Sequence, residues 1–212
     1  NAHLARPGLE DYLTKGYLPF PRYEVSSTLE YAIGDAAIAA FAERLGERET
    51  AASFRKRAHA WENVFDKGTS FVRPRHDDGS WEPNFSPRSE RGFVEGNATQ
   101  YTFMVPHETE RLAEALGGPP SLEARLDQLF TKVNGGASSP YFYIGNEPQF
   151  ATPWAYAFTG APWKIRPVVQ RVMRHAFTAD PRGLPGNDDL GATSAWYVWA
   201  ALGLYPYVPG TD

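Results

Sequence analysis

Between Ser27 and Gly46 the apolar residues return every three or four positions: Leu29, Ile33, Ala36, Ala37, Ala40, Phe41 and Leu45. This is the period of a helix with one apolar face, and a strand, with its period of two, does not produce it. Ser27 and Glu30 have the spacing of a capping box, and Gly46 stands where a helix would stop. The same period recurs along the chain. It predicts helices over 49–65 (Phe54, Ala58, Trp61 and Phe65 inward), from Glu95 through Met104 to Pro106, over 107–116, from Ser121 through Val133, and over 153–159, 164–177 and 192–202. Extended signals are confined to 70–73 and 80–81, on either side of the turn Asp77-Asp78-Gly79-Ser80. The expected class is all-α. No fixed-length repeat, low-complexity stretch or linker divides the chain, so residues 1–212 read as one domain or most of one.

Charge and composition narrow the function. The net charge is −4 and the one basic run, Arg55-Lys56-Arg57, falls on a predicted helix as its solvated face, so nucleic acid is not an expected partner. No apolar run approaches the ~18 residues of a membrane span. Cysteine is absent, which removes thiolate catalysis and Cys-ligated zinc. No His-Glu-x-x-His, Gly-x-Ser-x-Gly or phosphate-binding glycine loop is present. The first residues lack a start methionine and do not resemble a signal peptide, so the chain reads as part of a longer precursor.

The chemistry concentrates in three short segments: Glu95-Gly96-Asn97, Gly145-Asn146-Glu147-Pro148 and Gly186-Asn187-Asp188-Asp189. Each joins a carboxylate to a glycine turn, and Tyr101, Trp154 and Trp196 lie nearby in sequence. Acids beside aromatic rings suit a sugar-cleaving site, because rings stack on sugars and paired carboxylates supply the acid and the base. Two readings are open for each segment. Glu95 is either a helix-capping residue or an acid in an apolar pocket made by Phe93 and Tyr101. Asp188 and Asp189 either cap the helix near Ala192 or act on a ligand or hard cation. Asn146 and Glu147, the latter expected in extended backbone before Pro148, form either an ordinary turn or an oxygen-donor set for calcium or sugar hydroxyls.

The runs Phe93-Val94-Glu95-Gly96-Asn97-Ala98-Thr99-Gln100-Tyr101, Gly145-Asn146-Glu147-Pro148 and Gly183-Leu184-Pro185-Gly186-Asn187-Asp188-Asp189 resemble glycoside hydrolase family 92. So do Ser27-Thr28-Leu29-Glu30-Tyr31 and Ser194-Ala195-Trp196-Tyr197-Val198. The resemblance implies calcium-dependent, inverting exo-α-mannosidases, secreted or periplasmic, built from an N-terminal β-sandwich and an (α/α)6 toroid. By it, residues 1–212 would be the later part of the toroid, with the sandwich and the first toroid helices absent. It implies Glu95 as general acid and Asp189 as general base, with Asp188 or Asn187 beside it. Calcium would sit at Asn146 and Glu147, and Asn97, Gln100, Tyr101, Trp154 and Trp196 would contact the α-mannoside. Thr99 departs from the family pattern, which often has Trp there. Two alternatives stand beside this reading: a non-catalytic carbohydrate-binding or structural fragment, and a lyase using Arg88, Arg91 and Tyr101.

Overall fold

A computed structural model of the chain describes residues 5–211. Its helices are α1 (Leu9–Lys15), α2 (Ser26–Arg44), α3 (Arg48–Ala58), α4 (Ala98–Tyr101), α5 (Thr109–Ala115), α6 (Pro119–Leu129), α7 (Ile165–Ala176) and α8 (Ala192–Leu202). Short 3-10 helices, the longest Thr152–Phe158, link several of them. Strands β1 (Phe65–Asp66) and β2 (Phe71–Val72) form one antiparallel hairpin with Phe65 opposite Val72. The class is all-α, as the helical period implies. No helix among the described residues is long and apolar enough to cross a membrane.

The α2 boundaries show local rules at work and one failing. At its end, Gly46 takes a φ of 78° and the N–H of Glu47 donates to the Ala42 carbonyl at 2.9 Å, closing a Schellman stop. At its start the capping box does not form. The helix begins at Ser26 with Val25 in the cap position, and no side chain caps it. Ser26 instead accepts a hydrogen bond from the Val94 N–H at 3.2 Å, and Thr28 from the Leu18 N–H at 3.0 Å. The helix starts one residue before Ser27, so Ser27 lies inside it and cannot cap it.

The inward face of α2 is also rotated from the one expected. Leu29, Ala32, Asp35, Ala39 and Ala42 are buried, while Phe41 and Leu45 are each 62% exposed. Small residues let α2 approach α3, where Ala51 and Ala58 are buried in turn. Asp35 can then reach its partners, the cations Arg6 at 2.5 Å and Arg57 at 3.0 Å and the neutral Tyr12 hydroxyl at 3.2 Å. Elsewhere the helices are shorter than the periodicity suggests. The one expected over 49–65 ends at Ala58 and passes through a 3-10 turn, His59–Asn63, into β1. The one after Glu95 has a single turn, and α6 starts at Pro119 rather than Ser121, because proline is favoured in a first turn.

Three apolar clusters form among the described residues, the smallest of them Tyr12, Leu18, Ala32 and Ala60. Of the larger two, one gathers Val25, Leu29, Trp61, Phe65, Val72, Tyr101 and Leu112. The other gathers Leu122, Phe142, Ile144, Tyr156, Val172 and Trp196. The segment after Glu95 joins them, since Tyr101 belongs to the first core and Phe103 to the second.

Candidate active site

Glu95 is held in a shape that costs energy. Its φ is 49°, in the left-handed region that non-glycine residues rarely adopt. The next residue must be glycine, because a Cβ on Gly96 would lie 2.8 Å from the Tyr101 ring. The Tyr101 hydroxyl donates to the Val94 carbonyl at 2.5 Å and fixes the turn from the other side. Glu95 does not cap α4. That role belongs to Asn97, whose Oδ1 accepts from the Thr99 N–H at 3.1 Å.

The amides of Asn97 and Gln100 are spent on the protein's own backbone. Asn97 Nδ2 donates to the Ala137 and Ser139 carbonyls at 3.0 and 2.9 Å. Gln100 Nε2 donates to Gly136, Ser139 and Tyr141 at 3.1, 2.9 and 3.0 Å. Both side chains are buried, and together they clamp the loop over 135–141 against α4. The structure therefore gives them a supporting place rather than a face open to a sugar.

The second segment is tied directly to the first. Asn146 is extended, and its Nδ2 donates to the Glu95 carbonyl at 2.9 Å, so its amide oxygen can accept a hydrogen bond or ligate a cation. Glu147 is not extended as expected; it opens a one-turn 3-10 helix, Glu147–Gln149, with Pro148 in that first turn. Proline is compatible there because the first N–H groups of a helix lack partners anyway.

The third segment arrives through a backbone contact. Gly186 has a φ of 62°, and a Cβ on it would meet the Gly145 carbonyl oxygen at 2.1 Å. Only two bare backbones can lie this close. The two adjacent aspartates then separate in role. Asp188 Oδ1 accepts from the Ser194 N–H and hydroxyl at 2.8 and 2.9 Å, which serves the first turn of α8. Asp189, with a φ of 42°, turns toward Glu147.

A cavity of about 270 Å³ opens between the first two segments and the start of α2, lined by Ser26, Glu30, Glu95, Tyr101, Asn146 and Glu147 among others. Its electrostatics reflect crowded acids. Burial pushes the Glu147 carboxyl above its ordinary range, against its own backbone N–H, and Asp189 and then Glu95 push it further. The Asp189 side chain thus acts directly on Glu147, and two like charges near one another favour the protonated form of Glu147. The Tyr101 phenol is pushed up by burial, then by Glu30, Glu95 and Glu147. Glu30 was not among the residues expected from sequence. Its spacing from Ser27 marked it as a cap, yet it lines this cavity, and burial and then Glu147 raise it as well.

The aromatic expectations resolve unevenly. Tyr101 lines the cavity. Trp196 is only 1% exposed, donates from Nε1 to the Phe150 carbonyl at 3.0 Å and lies parallel to Phe177. Trp154 stacks on Tyr205 with ring centroids 4.1 Å apart. Trp196 packs inside the fold and Trp154 lies half-buried against the same core, and neither lines this cavity, which matches the ordinary use of tryptophan in a core.

Calcium prefers several hard oxygen ligands. The Glu147 and Asp189 carboxylates, the Asn146 amide oxygen and nearby carbonyls are such donors, and the repulsion between the two acids would be relieved by a cation. The donor chemistry fits. Among the described residues, the acidic and histidine side chains that come within 4.8 Å as a trio lie elsewhere: His59, Glu62 and Glu108. Arg111 already pairs with Glu62 and lies 3.7 Å from Glu108, while Trp61 donates to Glu108 at 2.6 Å. The trio's two acids are thus already engaged by Arg111 and Trp61, and His59 Nδ1 lies 2.6 Å from Glu108.

Solved structures share this architecture. An α-mannosidase of family GH92 from Bacteroides thetaiotaomicron, BT3965, superposes with a TM-score of 0.88 at 33% identity, over 96% of this chain and 28% of that one. The inverting GH92 mannosidase BT2199 from the same organism gives 0.87 at 32% identity, over 97% and 31%. A curated relative, an uncharacterized secreted glycosidase of Arthroderma benhamiae, is 28% identical over 95% of this chain and 29% of its own length. The chain thus spans less than a third of each of these relatives. The glycosyl hydrolase family 92 catalytic domain matches residues 1–212. The chain belongs to glycosyl hydrolase family 92, as a portion of its catalytic domain.

Proposed function

We propose that the protein hydrolyses terminal α-linked mannose from glycans with inversion, with Glu95 as general acid and Asp189 as general base. The observation that carries this reading is convergence. Segments around residues 95, 146 and 189 share no local structure, yet they meet through the Asn146–Glu95 hydrogen bond and the Gly186–Gly145 backbone contact. An inverting hydrolysis needs one carboxylic acid to protonate the departing oxygen and one carboxylate to activate water on the opposite face. Glu95 is exposed at the cavity on a strained turn, where it can meet a glycosidic oxygen. Glu147 interacts with both Asp189 and Glu95, which supports pairing the two across it, while Asp188 anchors the turn by holding Ser194.

Asn146 and Glu147 would hold calcium, which when bound would chelate adjacent sugar hydroxyls and favour a flattened ring. Asn146 also orients the Glu95 backbone, so acid and metal segment are placed by one side chain. Tyr101 holds the turn of Glu95 and forms one wall.

In this reading residues 1–212 form a segment of an (α/α)6 toroid, completed by the family's β-sandwich and first toroid helices. Uncovered apolar helix faces support it: Phe41 and Leu45 on α2, and Val198 and Leu202 on α8. A secreted or periplasmic location follows from the glycan substrate and accords with the name of the fungal relative.

The test is mannose release from linkage-defined α-mannobiosides by the full-length protein, with calcium and with EDTA. Calcium-dependent release with an inverted first product is expected. A folded protein that binds mannose and releases none would refute the hydrolase and favour a carbohydrate-binding module.

A further inference from the structure

We propose that Glu30 is a substrate-binding residue of this site: its carboxylate accepts a hydrogen bond from one ring hydroxyl of the terminal sugar and so helps select it. This rests on the α-mannosidase reading above. Glu30 lines the same cavity as Glu95, Asn146 and Glu147, but from α2, a different side of the fold. Its place there is fixed. The two serines that precede it sit in the first turn of α2, Ser26 is hydrogen-bonded to the Val94 N–H, and Thr28 to the Leu18 N–H. The start of α2 is thereby pinned to the residue before Glu95.

The carboxylate itself is unspent. Among the described residues no hydrogen bond or ion pair reaches it, although Tyr101 and Glu147 are near enough for their charges to interact with it. Asp35 and Asp66, inside the fold, are each held by arginine, whereas Glu30 is exposed to solvent and keeps both oxygens open to a ligand. An ionised carboxylate accepts hydrogen bonds only, at two oxygens. A sugar ring offers hydroxyl donors, so the partner that completes Glu30 is a hydroxyl rather than an anion. The other acids have prior tasks in the proposed reaction, as proton donor, as base and as cation ligand. Glu30 touches none of the three reacting segments by hydrogen bond, which leaves it free to read the ring. A site that hydrogen-bonds a particular hydroxyl discriminates strongly against a sugar lacking it.

The experiment is a cycle between enzyme and substrate. Turnover of an aryl α-mannoside and its singly deoxygenated analogues is measured for the full-length protein, Glu30→Gln and Glu30→Ala. The wild-type enzyme is expected to lose roughly 10- to 100-fold in kcat/KM when one particular hydroxyl is removed. Glu30→Ala is expected to lose a similar factor on the parent sugar and nothing further on that analogue, with Glu30→Gln between. A variant that keeps every deoxygenation penalty of the wild type, while the wild type turns over, overturns the role of Glu30 alone. A wild-type enzyme with no α-mannosidase activity removes the reading beneath it. Glu30→Gln preserves side-chain volume, so the cycle remains readable if Glu30→Ala fails to fold.

Discussion

Replacing Gly186 with alanine separates the structural cause of the site from its chemistry. The new methyl group would sit 2.1 Å from the Gly145 carbonyl oxygen, whereas ordinary contact begins near 3.4 Å. Backbone cannot swing aside as a side chain can, so the two loops must part by about 1.3 Å. Asp189 lies three residues beyond Gly186, and Glu147 two beyond Gly145, so that separation falls directly on the acidic pair. A misplacement of about 1 Å at reacting groups costs on the order of 100-fold in rate. The stability cost has two parts, roughly 1–2 kcal/mol for alanine at a left-handed φ and a further ~1–3 kcal/mol for overpacking. Gly46→Ala supplies the control, because Gly46 has a φ of 78° and nothing within 4 Å of its would-be Cβ. Both variants of the full-length protein would be assayed for kcat/KM on an aryl α-mannoside and for unfolding in urea. Gly46→Ala should lose stability and keep its activity. Gly186→Ala should lose about two orders of magnitude in kcat/KM while still folded. Equal activities in two folded variants would refute the claim that this backbone contact assembles the site.

Glu95→Gln should lower kcat by roughly 100- to 10,000-fold on a substrate with a sugar leaving group, and much less with an acidic phenol, because only a poor leaving group needs the proton. Comparing the two substrates on one preparation checks it. Asp35→Asn should destabilise the fold by about 3 kcal/mol, since it strips the shared partner from Arg6 and Arg57; the urea midpoint reads it. Burial tends to raise Asp66, but hydrogen bonds from Arg73, the Gly68 N–H and Thr69 outweigh it and hold its carboxyl below the usual range. The unfolded chain then binds more protons in that window, so this contribution is complete above about pH 4 and is lost as the pH falls toward the lowered folded value. Asp66→Asn should accordingly flatten part of the acid limb of a stability-versus-pH curve.

The helices were readable where one face had one partner. In α7, Val169 and Val172 are buried as their spacing requires, and α8 has the expected bounds. In α2 the apolar residues wrap far enough round that two faces qualify, and periodicity cannot choose between them. The choice came from alanines that admit α3 and from an aspartate that needed Arg57, both of which depend on residues distant in sequence. Trp196 shows a similar limit: an indole beside an acidic loop suits a sugar platform or a core equally well in sequence, and Phe177 and the Phe150 carbonyl decided for the core.

The sequence by itself determined the helical class, the three glycine-flanked acidic turns and the residue types able to do acid–base and hard-cation chemistry, because these depend on local spacing and side-chain identity. Only the tertiary structure decided which acids face one another. It gave Asp188 to the start of α8, set Asp189 beside Glu147, spent Asn97 and Gln100 on a loop, and brought in Glu30 from α2. The physical reason is that direction in space is set by contacts across the chain. Gly186 against Gly145, Asn146 on the Glu95 carbonyl and Ser26 under Val94 join residues some 40 to 70 positions apart, beyond the reach of any local pattern.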